Sequence, residues 1–208
     1  MNLNKAEEKA NNFLLNIILK GNSKPCDEYL NHQSFSLPLW YDEQKFKRGQ
    51  KYCLENRSGI LLSSFYGGIS VICDSKTASV LIRGKSKDKK LAKTRGISTG
   101  LSVFLWFKDE IKPGSRSFES LKRIRKIHLN ASRAADGNKI GFITQYDMLL
   151  QHFAAMGYAL IKPQFFGISY DCNEDREAYL HFYAVIGNLL GIKDEFNLCL
   201  HELEVVEM

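Results

Sequence analysis

The chain has 208 residues, of which 44% are hydrophobic and 12% aromatic, enough apolar material for one sizeable core and too much for disorder over most of its length. Lys and Arg number 29 against 23 Asp and Glu, a formal charge of +6 with a pI near 9.0. This mild excess selects no partner by itself. The five cysteines (Cys26, Cys53, Cys73, Cys172 and Cys199) are odd in number, widely spaced and form no CxxC, which excludes a zinc ribbon or a thioredoxin-like site and reads as reduced thiols in a cytoplasmic protein.

The opening stretch, MNLNKAEEKANNFLLNIILKG, mixes its charges and has too short an apolar run for a signal peptide. Nowhere do the roughly 20 apolar residues of a membrane span run together, so a soluble chain with no transmembrane segment is expected. Asn4 and Glu7 form a capping-box-like start. Phe13, Leu14, Ile17 and Ile18 follow at helical spacing, and Gly21 supplies a stop. After a loop holding Pro25 and Pro38, a second helix is expected from about Tyr41 to Asn56, with Phe46, Cys53 and Leu54 inward. GILLSSFYGGISVICDS reads as a buried helix, with a short strand at 69–73 as the alternative. Its Gly67–Gly68 pair reads as a break or a close helix contact. Asp74 is placed to cap a helix, SKTASVLIRG, that ends at Gly84.

From Ser86 as cap to the stop at Pro113–Gly114 the pattern predicts one long helix. Lys90, Thr94, Ile97, Leu101 and Phe104 share one of its faces, so a polar pair begins a stripe that is otherwise apolar and is expected to point inward. The next helix contains KRIRKIHLNASR, where Leu121, Ile124, His128, Ala131 and Ala135 share a face and Lys122, Arg125, Lys126 and Arg133 mostly fall elsewhere. His128 therefore points the way the apolar side chains point. Thr144 and Asp147 make another capping-box pair, opening a helix with Met148, Leu149, Phe153, Met156 and Leu160. A last long helix, about Glu174 to Leu190, carries Leu180, Tyr183 and Ile186 and stops at Gly191. There is no repeat, low-complexity tract or linker. The expected fold is a single all-α domain over 1–208, a bundle of roughly seven to eight helices with globin-like packing.

No nucleophile elbow, Walker motif, strand-borne GxGxxG or i, i+4 histidine pair is present, and the histidines at 32, 128, 152, 181 and 201 are scattered singly. A haem asks for less: one inward imidazole, apolar walls, and cations at the pocket edge for its propionates. His128 satisfies the first condition and has cations one step around its helix; a core histidine held by hydrogen bonds satisfies the same pattern. The basic runs RGKSKDKKLAKTR and KRIRK read as solvated helix faces, and no nucleic-acid motif surrounds them.

Four blocks in order resemble the catalytic domain shared by the latex-clearing (rubber oxygenase) proteins and the fungal endoplasmic-reticulum-bound oxygenases, over about 46–208: KKLAKTRGIS, RIRKIHLNASR, ITQYDMLLQHFAAMG and EAYLHFYAVIGNLLGI. The resemblance implies a b-type haem with His128 as proximal ligand. It also implies a distal group of Lys90, Lys93 and Thr94, and Asp74 as a carboxylate that removes a proton. Arg125 and Arg133 are the cations available to the propionates. Three positions depart from the family pattern. Lys90 stands where the rubber oxygenases have arginine, losing the planar two-pronged contact. The arginine four residues after the histidine is Ser132, with Arg133 turned about 100° away. Thr144 replaces the asparagine before the glutamine. The expectation is a haem b-dependent oxidoreductase of oxygenase type that takes O2 and a small apolar substrate, an alkene among the candidates. A non-catalytic interaction protein with the same helices, or a basic nucleic-acid or membrane-surface binder, remains the alternative.

Overall fold

A computed structural model describes residues 3–26, 35–81, 89–170 and 172–208. Among them there is no strand, and the chain is all-α: α1 (Leu3–Leu19), α2 (Glu43–Glu55), α3 (Arg57–Ile72), α4 (Ser75–Leu81), α5 (Lys89–Lys108), α6 (Arg116–Gly137), α7 (Gln145–Ile161), α8 (Asn173–Leu190) and the single turn α9 (Leu203–Val206). Short side chains begin these helices, the Thr144–Asp147 pair as the sequence predicts and Asp42 and Ser115 in addition. Asp42 Oδ1 accepts the Lys45 N–H, Ser115 Oγ accepts from Phe118, and Thr144 with Asp147 completes a reciprocal capping box. At the other end of α8, Gly191 adopts φ 111°, and the Ile192 N–H returns to the Gly187 carbonyl.

The core is organised by α8, whose residues 182–189 are all buried. Its neighbours α2 and α6 pack on it, α3 packs on α7, and α5 packs on α2 and α6. Two glycines explain why two of these pairs are so close. A Cβ on Gly49 would lie 2.3 Å from the Ala178 carbonyl oxygen, and one on Gly67 would lie 2.0 Å from that of Ala154. Around them Phe46, Phe107, Tyr179 and Phe182 are almost fully buried, each such ring contributing about 1.5–3 kcal/mol of burial. A second, smaller cluster of Ile17, Cys26, Met148, Ile192 and Phe196 seats α1 against α7 and the chain after α8.

One open alternative is decided and two expectations are corrected. The stretch around Gly67–Gly68 is continuous helix to Ile72, and Gly67 is a contact point with no break. That helix is buried on one side only, since Leu62, Phe65, Tyr66, Ile69 and Ile72 are exposed opposite the α7-facing stripe. The apolar stripe of α5 faces outward: Ile97 and Leu101 are 55% and 66% exposed. The predicted stop at Gly84 and cap at Ser86 lie outside the described residues.

Candidate functional site

The side of α6 that meets the rest of the protein is set by Leu121, Arg125, Ser132 and Ala135, all buried. His128 lies one turn from Arg125 and one from Ser132 on this side. Its ring is half-buried, and its Nδ1 is sealed from solvent with no hydrogen-bond partner. Buried side-chain nitrogens are nearly always paired, and this one is an exception. Burial pushes the imidazole pKa down, which keeps it neutral, the form that donates a lone pair to a metal. Arg125 is buried beside it with its guanidinium over the Phe35 ring at 5.6 Å. Ser132 Oγ accepts the Ile143 N–H and so ties α6 to the start of α7. The serine that stands where the family has arginine thus has a structural task here. Arg133 is exposed, off this face.

Two contacts join α5 to α6 near their connecting turn: Ser117 Oγ donates to the Leu105 carbonyl, and Trp106 Nε1 donates to Ser120 Oγ. Farther from the turn α5 loses its cover. Residues 93–99 are exposed all round the helix. Lys90, Lys93 and Thr94 sit together on this open end, where Thr94 Oγ donates to the Lys90 carbonyl at 2.9 Å. Asp74 lies apart from both groups at the start of α4. Its Oδ2 accepts the Thr77 N–H at 2.7 Å, and this bond holds the carboxyl below its usual pKa. The helical bundle therefore brings His128 and Arg125 together on one covered face, groups Lys90, Lys93 and Thr94 on an exposed one, and uses Asp74 as a helix cap.

One chemistry-bearing pair escapes sequence reading. His152 of α7 is fully enclosed, with Nε2 3.7 Å from Cys199 Sγ and its ring edge-on to Tyr183 at 5.7 Å. Burial alone drives the imidazole down to about 4 and the thiol far up, so both are neutral and neither is an activated nucleophile or base. The two residues are far apart in sequence, so no local pattern signals the pair. His181 serves the fold: its Nε2 accepts the Asp42 N–H, and Trp40 meets its ring edge-on. Among the described residues no three His, Cys, Asp or Glu side chains gather as a metal cluster. Two surface pockets of about 340 and 350 Å³ are lined mainly by charged residues, the first by Arg48, Lys51, Glu55 and Asp175, and neither includes a predicted site residue.

No family model matches the chain, and no solved structure matches it. Among curated proteins, it is 22% identical over 185 residues to the rubber oxygenase of Streptomyces sp. (strain K30), an alignment covering 81% of this chain and 43% of that protein. The chain spans less than half the length of that relative, and the two are distantly related.

Proposed function

We propose that this chain is a haem b-dependent, oxygenase-like protein acting on a small apolar molecule, with His128 as the residue that would hold the haem iron. The observation that carries this reading is the His128 imidazole: neutral, half-buried, and with an orphaned Nδ1 inside the α6 face. Its support from relatives is the distant similarity to a rubber oxygenase. The α6 residues suit a haem. A ring nitrogen of His128 would hold the iron, and Arg125, already desolvated one turn away, would neutralise a propionate. A bound haem supplies a redox-active iron for work on O2.

The remaining roles belong to the chain. Lys93 and Lys90 would supply positive charge to the site, with Lys90 offering a point charge rather than a fork. Thr94 would orient a polar atom of the bound oxidant or substrate through a hydroxyl that now donates to Lys90. Asp74, ionised at neutral pH, would accept a proton only after leaving its hydrogen bond to Thr77. The open α5 end favours a second reading, an interaction protein that keeps the helices without the chemistry.

An absorption spectrum separates the two. Protein expressed with ample haem is expected to be red, with a Soret band that shifts on reduction and again with carbon monoxide. His128→Ala should lose that band while keeping its helical circular dichroism. A colourless wild-type protein that also refuses added haemin overturns the oxygenase reading and leaves the interaction protein.

A further inference from the structure

We propose that α5 and the adjoining half of α6 form a docking surface for a lipid bilayer carrying anionic headgroups. Charge is segregated onto these helices. Residues 89–108 and 120–135 hold ten of the 29 Lys and Arg and not one Asp or Glu, while the rest of the chain has 19 cations against 23 acids. The cations are outside: Lys90, Lys93 and Arg95 on α5, and Lys122, Arg123 and Lys126 on α6, are all exposed.

Apolar side chains are exposed on the same two helices. Lys90 and Lys93 begin the α5 stripe that continues through Ile97, Leu101 and Phe104, so ammonium groups and hydrocarbon share one uncovered face. On α6, Ile127 is exposed beside Lys126, about as far from the connecting turn as Ile97 is on α5. Cations that draw the surface to anionic headgroups, next to aliphatic side chains that enter the acyl boundary, are what interfacial binding requires. The lysine stems let hydrocarbon sink while the ammonium groups stay at the headgroups.

The same features disfavour the other occupants. A nucleic acid would satisfy the cations but leave Ile97, Leu101 and Ile127 in water, and only Phe104 among them offers a ring for stacking. A second copy of this face would set the exposed cations Lys90, Lys93, Arg95, Lys122, Arg123 and Lys126 against their own like. The proposal shares Lys90 and Lys93 with the haem reading but does not rest on it: the positions that test it, Ile97, Leu101, Lys122 and Lys126, are given no part in holding the haem.

The test is co-sedimentation of the full chain with phosphatidylcholine vesicles, with and without phosphatidylserine, over a salt titration. The chain is expected to pellet with the phosphatidylserine vesicles, to stay in solution with phosphatidylcholine alone, and to release as salt rises. Lys122→Gln and Lys126→Gln should each weaken binding about fivefold. Ile97→Asp with Leu101→Asp should abolish it with the far-ultraviolet circular dichroism unchanged, since both positions are exposed. Leu15→Asp, an exposed apolar position on α1, should leave it unaltered. Failure to pellet with phosphatidylserine vesicles overturns the proposal, as does wild-type pelleting by the Ile97/Leu101 variant. Duplex RNA binding that survives that double substitution, with no vesicle binding, would make the face a general polyanion surface and overturn it as well.

Discussion

α8 and the outer half of α5 are both helices of ordinary composition, yet they live in opposite surroundings. Residues 182–189 of α8 are buried on every side, whereas residues 93–99 of α5 are exposed on every side. The difference comes from partners more than from helix-forming tendency, since tertiary packing supplies most helical stability. α8 is gripped by α2 through Gly49, with α6 beside it, while α5 meets α6 through contacts gathered near their turn. Lys90, Lys93, Thr94 and the proposed membrane contact fall on the less covered helix, whereas His128 sits on α6, which packs on α8.

The sharpest way to break this contrast is to add one methyl group to each side of it. Gly49→Ala puts a Cβ 2.3 Å from the backbone oxygen of Ala178, which cannot move without displacing α8, so about 3 kcal/mol or more of stability should be lost. Gly96→Ala on α5 meets nothing within 4 Å and should stabilise by about 0.5–1 kcal/mol through helix propensity. Urea unfolding of both variants checks the pair. Equal effects of the same sign would show that the two regions are not held differently.

A second test lowers the pH. The His152 imidazole is neutral in the fold, with its pKa lowered from 6.5 to about 4 by burial, and in the unfolded chain it titrates normally. Because the folded value is the lower one, protons bind the unfolded state better. Stability is whole above about pH 6.5 and falls as the pH drops toward 4, by about 3 kcal/mol. His128, lowered in the same direction, adds to the loss. Unfolding in urea at about pH 7 and about pH 4.5 measures the loss. His152→Gln, uncharged at both values, should flatten most of it. Gly187→Ala is a steric control, since its Cβ would sit 2.8 Å from the His152 ring.

Much of the fold was legible because its signals are local. Asp74, Thr144 with Asp147, and Gly191 act within a few residues of themselves, and each begins or ends a helix as the chemistry of caps requires, as do Asp42 and Ser115, which the sequence reading passed over. The inward side of α6 was legible in part: Leu121 and Ala135 are buried and His128 shares their side, but Arg125, expected off this face, is buried on it against the Phe35 ring. Periodicity stopped short at α5. It says that Lys90, Thr94, Ile97, Leu101 and Phe104 share a face, but not whether any other element covers that face, and among the described residues nothing covers its outer half. The same limit applies to α3, whose apolar residues run all round while α7 takes only one side. The His152–Cys199 contact was illegible for the opposite reason, because it joins segments that only the finished packing brings together.

The smallest expected effect bears on Asp74, which sits outside both compared regions yet is assigned a role with the exposed one. As a cap it accepts the Thr77 N–H, so Asp74→Ala should cost about 1 kcal/mol. Asp74→Asn keeps an acceptor oxygen at the same place and should cost little, because asparagine caps nearly as well. The two substitutions agree, however, in removing the carboxylate. If Asp74 accepts a proton during turnover, both variants should lose oxygenation alike while only the alanine variant loses stability. If it is a cap alone, activity should follow stability, falling with alanine and holding with asparagine. Parallel urea melts and oxygen-uptake rates of the haem-loaded variants separate these patterns, and a fully active Asp74→Asn removes this residue from the proton path.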